Sequence, residues 1–129
     1  MRHVTPLQLR FCDTDALGHI NNAAYAQYAE VGRLDFMREA NTLVANLILA
    51  RIEIDFRRQT MPDAVAQVTT GVARFGNTSL TLVQSIEVDG ASACDIRSVL
   101  VFFDYDSDRP TRISDAVRER LAPFVEEAL

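Results

Sequence analysis

The sequence has few of the residues that mark metal sites and disulfide frameworks. It contains two cysteines, Cys12 and Cys94, which form no CxxC pair, and only two histidines. This spacing argues against a zinc site, and we expect no metal. One disulfide is compatible with two cysteines, but a reduced pair is the simpler expectation, with both thiols buried as small apolar side chains.

An excess of positive charge and long apolar runs are also missing. The net charge is −5, whereas nucleic-acid binding normally needs a basic excess, although a local basic cluster could hold one phosphorylated ligand. No apolar run approaches the ~20 residues of a membrane span. The N-terminal segment MRHVTPLQLRF is too polar for a secretory signal. We therefore expect a cytoplasmic protein without nucleic-acid or membrane partners.

What is present is typical of one globular domain spanning residues 1–129. The hydrophobic content is 48%, and 129 residues suffice to bury a core without metals or disulfides. Loose alternation predicts a first strand over Val4 to Phe11. Helical spacing follows from Asn22 to about Glu39, with Asn21 or Asn22 as N-cap. Five residues form the predicted buried face of this helix: Tyr25, Tyr28, Ala29, Gly32 and Phe36.

The rest of the chain has the two-residue period of strands. After Asn46, four further strands are predicted, with hairpin signals at Gly76-Asn77 and Asp89-Gly90. One predicted strand face comprises Leu80, Leu82, Gln84, Ile86 and Val88. The segment from Ser114 to Leu129 is predicted to be a helix interrupted by Pro123. Antiparallel strands with one long helix give an α+β domain.

The most distinctive segment lies between the first strand and the long helix. It has the pattern D-x-D-x-x-G-H-x-N-N-x-x-Y, from Asp13 to Tyr25. This pattern, together with the element order, resembles the hot-dog-fold acyl-CoA thioesterases of the 4-hydroxybenzoyl-CoA thioesterase-like family. The resemblance implies an antiparallel sheet wrapped around one long central helix, no cofactor beyond the coenzyme A of the substrate, and a homodimer or homotetramer with active sites between subunits.

The resemblance also assigns the catalytic groups. It makes Asp15 the catalytic carboxylate and gives the backbone N–H near Asn22 the task of polarising the thioester carbonyl. This chemistry is sound, because a helix N-terminus has unpaired N–H groups and a positive dipole end. One such donor lowers the barrier by about 3–4 kcal/mol. Asp15 acts as general base on water or as nucleophile, and the sequence leaves both open.

Further residues are predicted to bind the substrate. Around the loop and helix start, Gly18 lets the chain fold back, while His19, Asn21 and Tyr25 brace or line the pocket. Three arginines and one turn are candidates for the coenzyme A part, the turn because it resembles that of the family. These candidates are Arg57, Arg58, Arg74, Thr78 and Ser79.

Several alternatives stay open at this level. Asp13 is predicted to brace the loop by accepting backbone N–H groups. Glu30 is either a catalytic carboxylate, as in another hot-dog branch, or the ion-pair partner of Arg33. The rival functions are a non-catalytic acyl-CoA-binding module and a hot-dog hydratase or dehydratase that would use His19. The sequence leaves the acyl group undefined.

Overall fold

The computed structural model describes residues 1–42 and 46–126 of the chain. In these ranges the elements are β1 His3–Leu7, α1 Asn22–Glu39, β2 Leu47–Phe56, β3 Ala66–Phe75, β4 Ser79–Val88, β5 Ala91–Asp104, β6 Arg109–Pro110 and α2 Asp115–Leu121, with 3₁₀ turns at Phe11–Asp13 and Ala122–Phe124.

The strands form one antiparallel sheet in the order β1-β3-β4-β5-β2, and the two-residue β6 pairs with the end of β5. β1 and β2 are therefore the two edges. α1 packs across one face of this sheet and contacts β1, β3 and β4. The predicted α+β hot-dog arrangement is confirmed, while β6 was not predicted because two residues show no period.

The long helix buries the face that its sequence predicts. Tyr25, Tyr28, Ala29 and Phe36 are all buried, and Gly32 allows the closest approach to the sheet. A Cβ atom on Gly32 would lie 2.6 Å from Cγ1 of Val68 on β3. Two apolar clusters result, one beside the start of α1 and one beside its end.

The hairpins and the inward face of β4 also follow the sequence. Asp89 and Gly90 adopt φ of 50° and 86°, as a tight hairpin turn requires. The five residues of the predicted β4 face are buried. Among them, the Gln84 side-chain amide donates to the carbonyl of Ala29 at 3.0 Å and to Oγ1 of Thr70 at 3.1 Å. This polar residue therefore ties the sheet to the helix above it.

Three local predictions were wrong or incomplete. β1 ends at Leu7, because its pairing with β3 ends there, and Phe11 is 85% exposed in a 3₁₀ turn. Cys94 is buried as expected, but Cys12 in that turn is exposed, and both thiols are free. The C-terminal helix ends at Leu121 before the 3₁₀ turn that contains Pro123. The last predicted helical positions, 127–129, lie outside the described residues.

Candidate active site

The loop before α1 is a tight turn around Asp15. The Asp15 N–H donates to the carbonyl of His19 at 2.8 Å, and Oδ1 of Asp15 accepts from the N–H of Leu17 at 2.9 Å and of His19 at 3.3 Å. Gly18 has a φ of +83°, a backbone conformation that residues other than glycine rarely adopt. The glycine thus lets the chain reverse, and the Asp15 side chain stays exposed to solvent.

The start of α1 is fixed by the next residues. Asn21 is the N-cap, because its Oδ1 accepts from the N–H of Ala23 at 3.0 Å. The N–H of Ile20 donates to the carbonyl of Thr60 at 2.8 Å, which anchors the loop to the segment after β2. Within residues 1–42 and 46–126, the N–H of Asn22 has no acceptor. This free donor lies at the positive end of the helix dipole.

A groove of about 430 Å³ lies at this helix start. Its lining comprises Asp15, His19, Ile20, Asn21, Asn22, Tyr25, Phe56, Arg57, Arg58 and Gln59. Seven of the predicted site residues therefore come together, from the loop, the helix start and the end of β2, and Gly18 shapes the same turn. Nδ1 of His19 is buried and finds no hydrogen-bond partner in the part of the chain that the structure describes.

Tyr25 forms a fixed wall of the groove. Its ring is buried, and its hydroxyl donates to Oγ1 of Thr60 at 2.8 Å. The ring also meets that of Phe56 edge-on, with centroids 5.6 Å apart. Burial raises the pKa of Tyr25 above its ordinary value. The phenol therefore stays neutral at physiological pH and serves to position its neighbours.

Asp13 is a brace and does not line this groove. Its buried carboxylate accepts from Arg10 at 2.7 and 3.1 Å and from the hydroxyl of Tyr28 at 2.6 Å. The bond from Arg10 holds the pKa of Asp13 below its usual range. Bracing was predicted, but through backbone N–H groups. The carboxylate takes side-chain donors instead, while the Asp13 backbone carbonyl accepts from the N–H of Asn21 at 2.8 Å.

Glu30 lies outside the groove, on the third turn of α1, and its side chain is exposed. The ion pair expected between Glu30 and Arg33 is absent from the ion pairs of the described residues. Arg33 is turned inward and is only 6% exposed. Spacing on a helix surface predicted the pair, but Arg33 instead lines a cavity together with Leu47 and Leu49 of β2.

The two arginines that line the groove are partly committed to protein contacts. Nε of Arg57 donates to Asp95 at 3.1 Å. Arg58 donates from Nη2 to the carbonyls of Val88 at 2.7 Å and Ala91 at 2.8 Å. Arg58 therefore braces the β4–β5 hairpin, whereas Arg57 stays about half exposed in the ion pair.

The other three predicted coenzyme A contacts lie elsewhere. Arg74 is on β3 opposite Thr81, and Thr78 and Ser79 form the β3–β4 hairpin. This hairpin lies by the apolar cluster at the end of α1, because the N–H of Phe102 donates to the carbonyl of Thr78 at 2.9 Å. Within one chain these residues do not meet the groove, and their role stays a prediction.

Four residues at the groove were missed by sequence reasoning: Ile20 within the motif, and three from the end of β2. Phe56 was interpreted only as a strand residue, and Gln59 and Thr60 received no role. Phe56, Gln59 and Thr60 all belong to the segment FRRQT at the end of β2, which matches no known motif. Their place in the site comes from the hydrogen bonds that Thr60 makes to Ile20 and Tyr25, which only the folded chain reveals.

Neither a metal cluster nor a membrane helix is found in residues 1–42 and 46–126. No group of three or more histidine, cysteine or acidic side chains there could hold a metal ion. None of the helices there has both the length and the apolar character that a membrane crossing demands.

Comparison with known proteins places the chain in a family. The profile of the thioesterase-like superfamily matches residues 9–121. A structure described as a predicted thioesterase from Bacillus stearothermophilus is 32% identical, with a TM-score of 0.92 over 99% of both chains. A thioesterase from Thermus thermophilus, solved with coenzyme A and zinc, is 29% identical with a TM-score of 0.86, covering 94% of this chain and 92% of that one.

Two bacterial proteins are similar to this chain in sequence. The long-chain acyl-CoA thioesterase FadM of Escherichia coli is 22% identical over 94% of this chain and 98% of its own length. The uncharacterised protein YsmA of Bacillus subtilis is 30% identical over 59% of this chain, an alignment that spans 54% of YsmA. With the family profile matching most of its length, and with the antiparallel sheet and central helix described above, the chain belongs to the thioesterase-like superfamily and has the hot-dog fold.

Proposed function

We propose that this protein is an acyl-CoA thioesterase that hydrolyses a coenzyme A thioester to a free acid and coenzyme A. The observation that carries the proposal is the shared groove, in which the exposed carboxylate of Asp15 and the free N–H of Asn22 line one cavity. The coenzyme A bound to the Thermus thermophilus relative and the activity in the name of FadM support this substrate class.

The chemistry uses two groups from opposite sides of one carbonyl. The N–H of Asn22 donates to the thioester oxygen and stabilises the oxyanion that forms there. Asp15 acts either as general base, taking a proton from the attacking water, or as nucleophile through a mixed anhydride. On either route the tetrahedral intermediate expels the coenzyme A thiolate, which takes up a proton. On the nucleophilic route this step leaves the mixed anhydride, which water then hydrolyses to the free acid and free Asp15. No metal or organic cofactor enters this scheme.

The other groove residues position the substrate. Tyr25 and Phe56 form an apolar wall beside the reacting carbonyl. Arg57 lies at the rim, where its guanidinium can exchange the exposed pair with Asp95 for a phosphate of coenzyme A. Arg74, Thr78 and Ser79 would serve the phosphates of a substrate held by the second protomer of a dimer.

The decisive variant is Asp15→Asn. Asparagine keeps an Oδ1 that can accept from Leu17 and His19, so the turn is retained while the base or nucleophile is lost. We expect kcat to fall roughly 100-fold or more, with little change in acyl-CoA binding. Thiol release from short, long and aromatic acyl-CoAs measures this effect. Solvent heavy oxygen recovered in the Asp15 carboxylate would identify the nucleophile.

The matched control is Asp63→Asn, which removes an exposed carboxylate outside the groove. It should retain wild-type kcat. Full activity in Asp15→Asn would overturn the assignment and move it to Glu30 or Asp13. Binding of acyl-CoA without thiol release from any acyl chain in the wild-type protein would instead support the binding-module alternative.

A further inference from the structure

A second cavity, of about 270 Å³, lies between α1 and the edge strand β2. Its wall is almost entirely aliphatic and comprises Leu34, Met37, Leu47, Leu49 and Leu100. Among the described residues, the charged side chains that line it are those of Glu30 and Arg33 on α1. The second cavity is therefore apolar, with the guanidinium of Arg33 in its wall.

Arg33 is unusual because none of the described residues pairs with its side chain. Its side chain lines the cavity, the residue is 6% exposed, and Nη1 is buried without a hydrogen bond. Across residues 1–42 and 46–126 it takes part in no ion pair. Burial lowers its pKa below the ordinary arginine value, and the nearby Glu30 charge opposes this shift. A buried guanidinium without an anion is costly, so the arrangement calls for an acceptor from outside the chain.

This cavity is in line with the catalytic groove. Asn22 and Arg33 lie eleven residues apart on α1, which places them on the same side of the helix, about 16 Å apart along its axis. β2 runs beside both, since Phe56 lines the groove and Leu49 lines the cavity. Between them, the small and half-buried side chain of Ala26 lies on the same side of the helix.

We propose that this second cavity receives the far end of the acyl chain and that Arg33 pairs there with a terminal carboxylate, so that the enzyme prefers long-chain ω-carboxyl acyl-CoAs. The inference rests on the proposed thioesterase function. A planar guanidinium matches a carboxylate with two parallel hydrogen bonds, and the aliphatic wall accepts the methylenes before it. A methyl-ended chain would fill the same space but leave the guanidinium unpaired.

The test compares matched substrates that differ only at the far end. Tetradecanedioyl-CoA and myristoyl-CoA form one pair, and dodecanedioyl-CoA and lauroyl-CoA a shorter one. In the pair whose chain length the enzyme hydrolyses faster, we expect wild-type kcat/KM to be roughly 10- to 100-fold higher for the carboxyl-ended substrate than for the methyl-ended one. Arg33→Met keeps the length and apolar stem of the side chain and should remove this preference. The ratio of the two kcat/KM values cancels any general loss of activity or folding.

The control is Arg38→Met, which removes an exposed arginine of the same helix outside both cavities and should keep the wild-type ratio. Glu30→Gln removes the one negative charge beside Arg33 and should raise the ratio further. A wild-type ratio of one or below, or an unchanged ratio in Arg33→Met, would overturn the proposal. So would dissociation of Arg33→Met into monomers with an unchanged ratio, because the acceptor would then be a second copy of the chain.

A binding readout separates this proposal from the thioesterase activity. Non-hydrolysable thioether analogues of the two tetradecyl substrates can be titrated by calorimetry. Tighter binding of the carboxyl-ended analogue, lost in Arg33→Met, would support the chain-end site even if no acyl-CoA were hydrolysed. Equal affinities for both analogues would reject the site even if the thioesterase activity were present.

Discussion

Two aspartates separated by one residue have opposite surroundings. Asp13 is buried and bonded to Arg10 and Tyr28, whereas Asp15 is exposed and its carboxylate accepts from backbone N–H groups of its own turn. The motif predicted that one would brace and the other would face the pocket, and their positions agree. The partners of Asp13 could not be predicted, because they depend on how the 3₁₀ turn lies against α1.

At this scale we expect Asp13→Asn to destabilise the fold by about 2 kcal/mol at pH 7, because the charged bonds from Arg10 are lost. The folded pKa of Asp13 is lowered, so its contribution is complete above the unfolded pKa of about 3.9 and disappears as the pH falls through the lower folded value. The difference between wild type and variant should therefore shrink toward pH 3. Urea unfolding at both pH values measures it.

Asp63→Asn again serves as the control, and its unfolding free energy should match that of the wild type at both pH values. A difference for Asp13→Asn that stays the same at pH 7 and pH 3 would contradict an ionised, bonded Asp13. Equal stability of Asp13→Asn and wild type at pH 7 would remove the bracing role altogether.

The long helix was the most predictable element. Its bounds, Asn22–Glu39, follow from the asparagine cap and from apolar residues at helical spacing. Its inward flank was less predictable, since Arg33 and Met37 are buried along with the expected face. Helical spacing identifies one apolar stripe, but burial extends beyond that stripe and includes the polar Arg33.

For this element we expect Gly32→Ala to destabilise the protein by about 1–3 kcal/mol, although alanine favours helices. The new Cβ would lie 2.6 Å from Cγ1 of Val68 and 3.0 Å from Nε2 of Gln84, and such overpacking outweighs the gain of about 1 kcal/mol in helix propensity. Thermal and denaturant unfolding measure the loss.

Shortening Val68 to alanine tests whether close contact causes this loss of stability. In Gly32→Ala with Val68→Ala, the destabilisation should be smaller than the sum of the two single effects, because the clash is gone. Gln27→Ala, an exposed position of the same helix, should change stability by less than about 0.5 kcal/mol. Strict additivity in the double variant would show that close contact with Val68 is not the reason.

The whole molecule has one long uncovered edge. In the described residues β2 pairs with β5 alone, so ten residues present a free edge with Leu49 41% exposed and Phe56 46% exposed. Both the groove and the second cavity open toward this strand. Long, apolar edges of this kind are normally covered, and a second copy would also border both cavities.

We therefore expect sedimentation equilibrium to give a dimer or tetramer that associates through β2. Leu49→Glu should shift the protein toward monomers, because it introduces a charge into the apolar contact. Val4→Glu, on the opposite edge strand and 48% exposed, is the matched control and should leave the mass unchanged. A monomeric wild type, or equal effects of the two substitutions, would contradict association through this edge.

The sequence by itself determined the order of the long elements, the central helix, the hairpins and the turn before the helix. These depend on neighbouring residues, through spacing, capping and turn preference. The tertiary structure alone decided that the end of β2 borders the helix start, that Arg58 braces a hairpin, and that Arg33 is buried with no partner among the described residues. Such contacts join residues far apart in the chain, and their geometry depends on how the sheet curves around the helix, which no local pattern encodes.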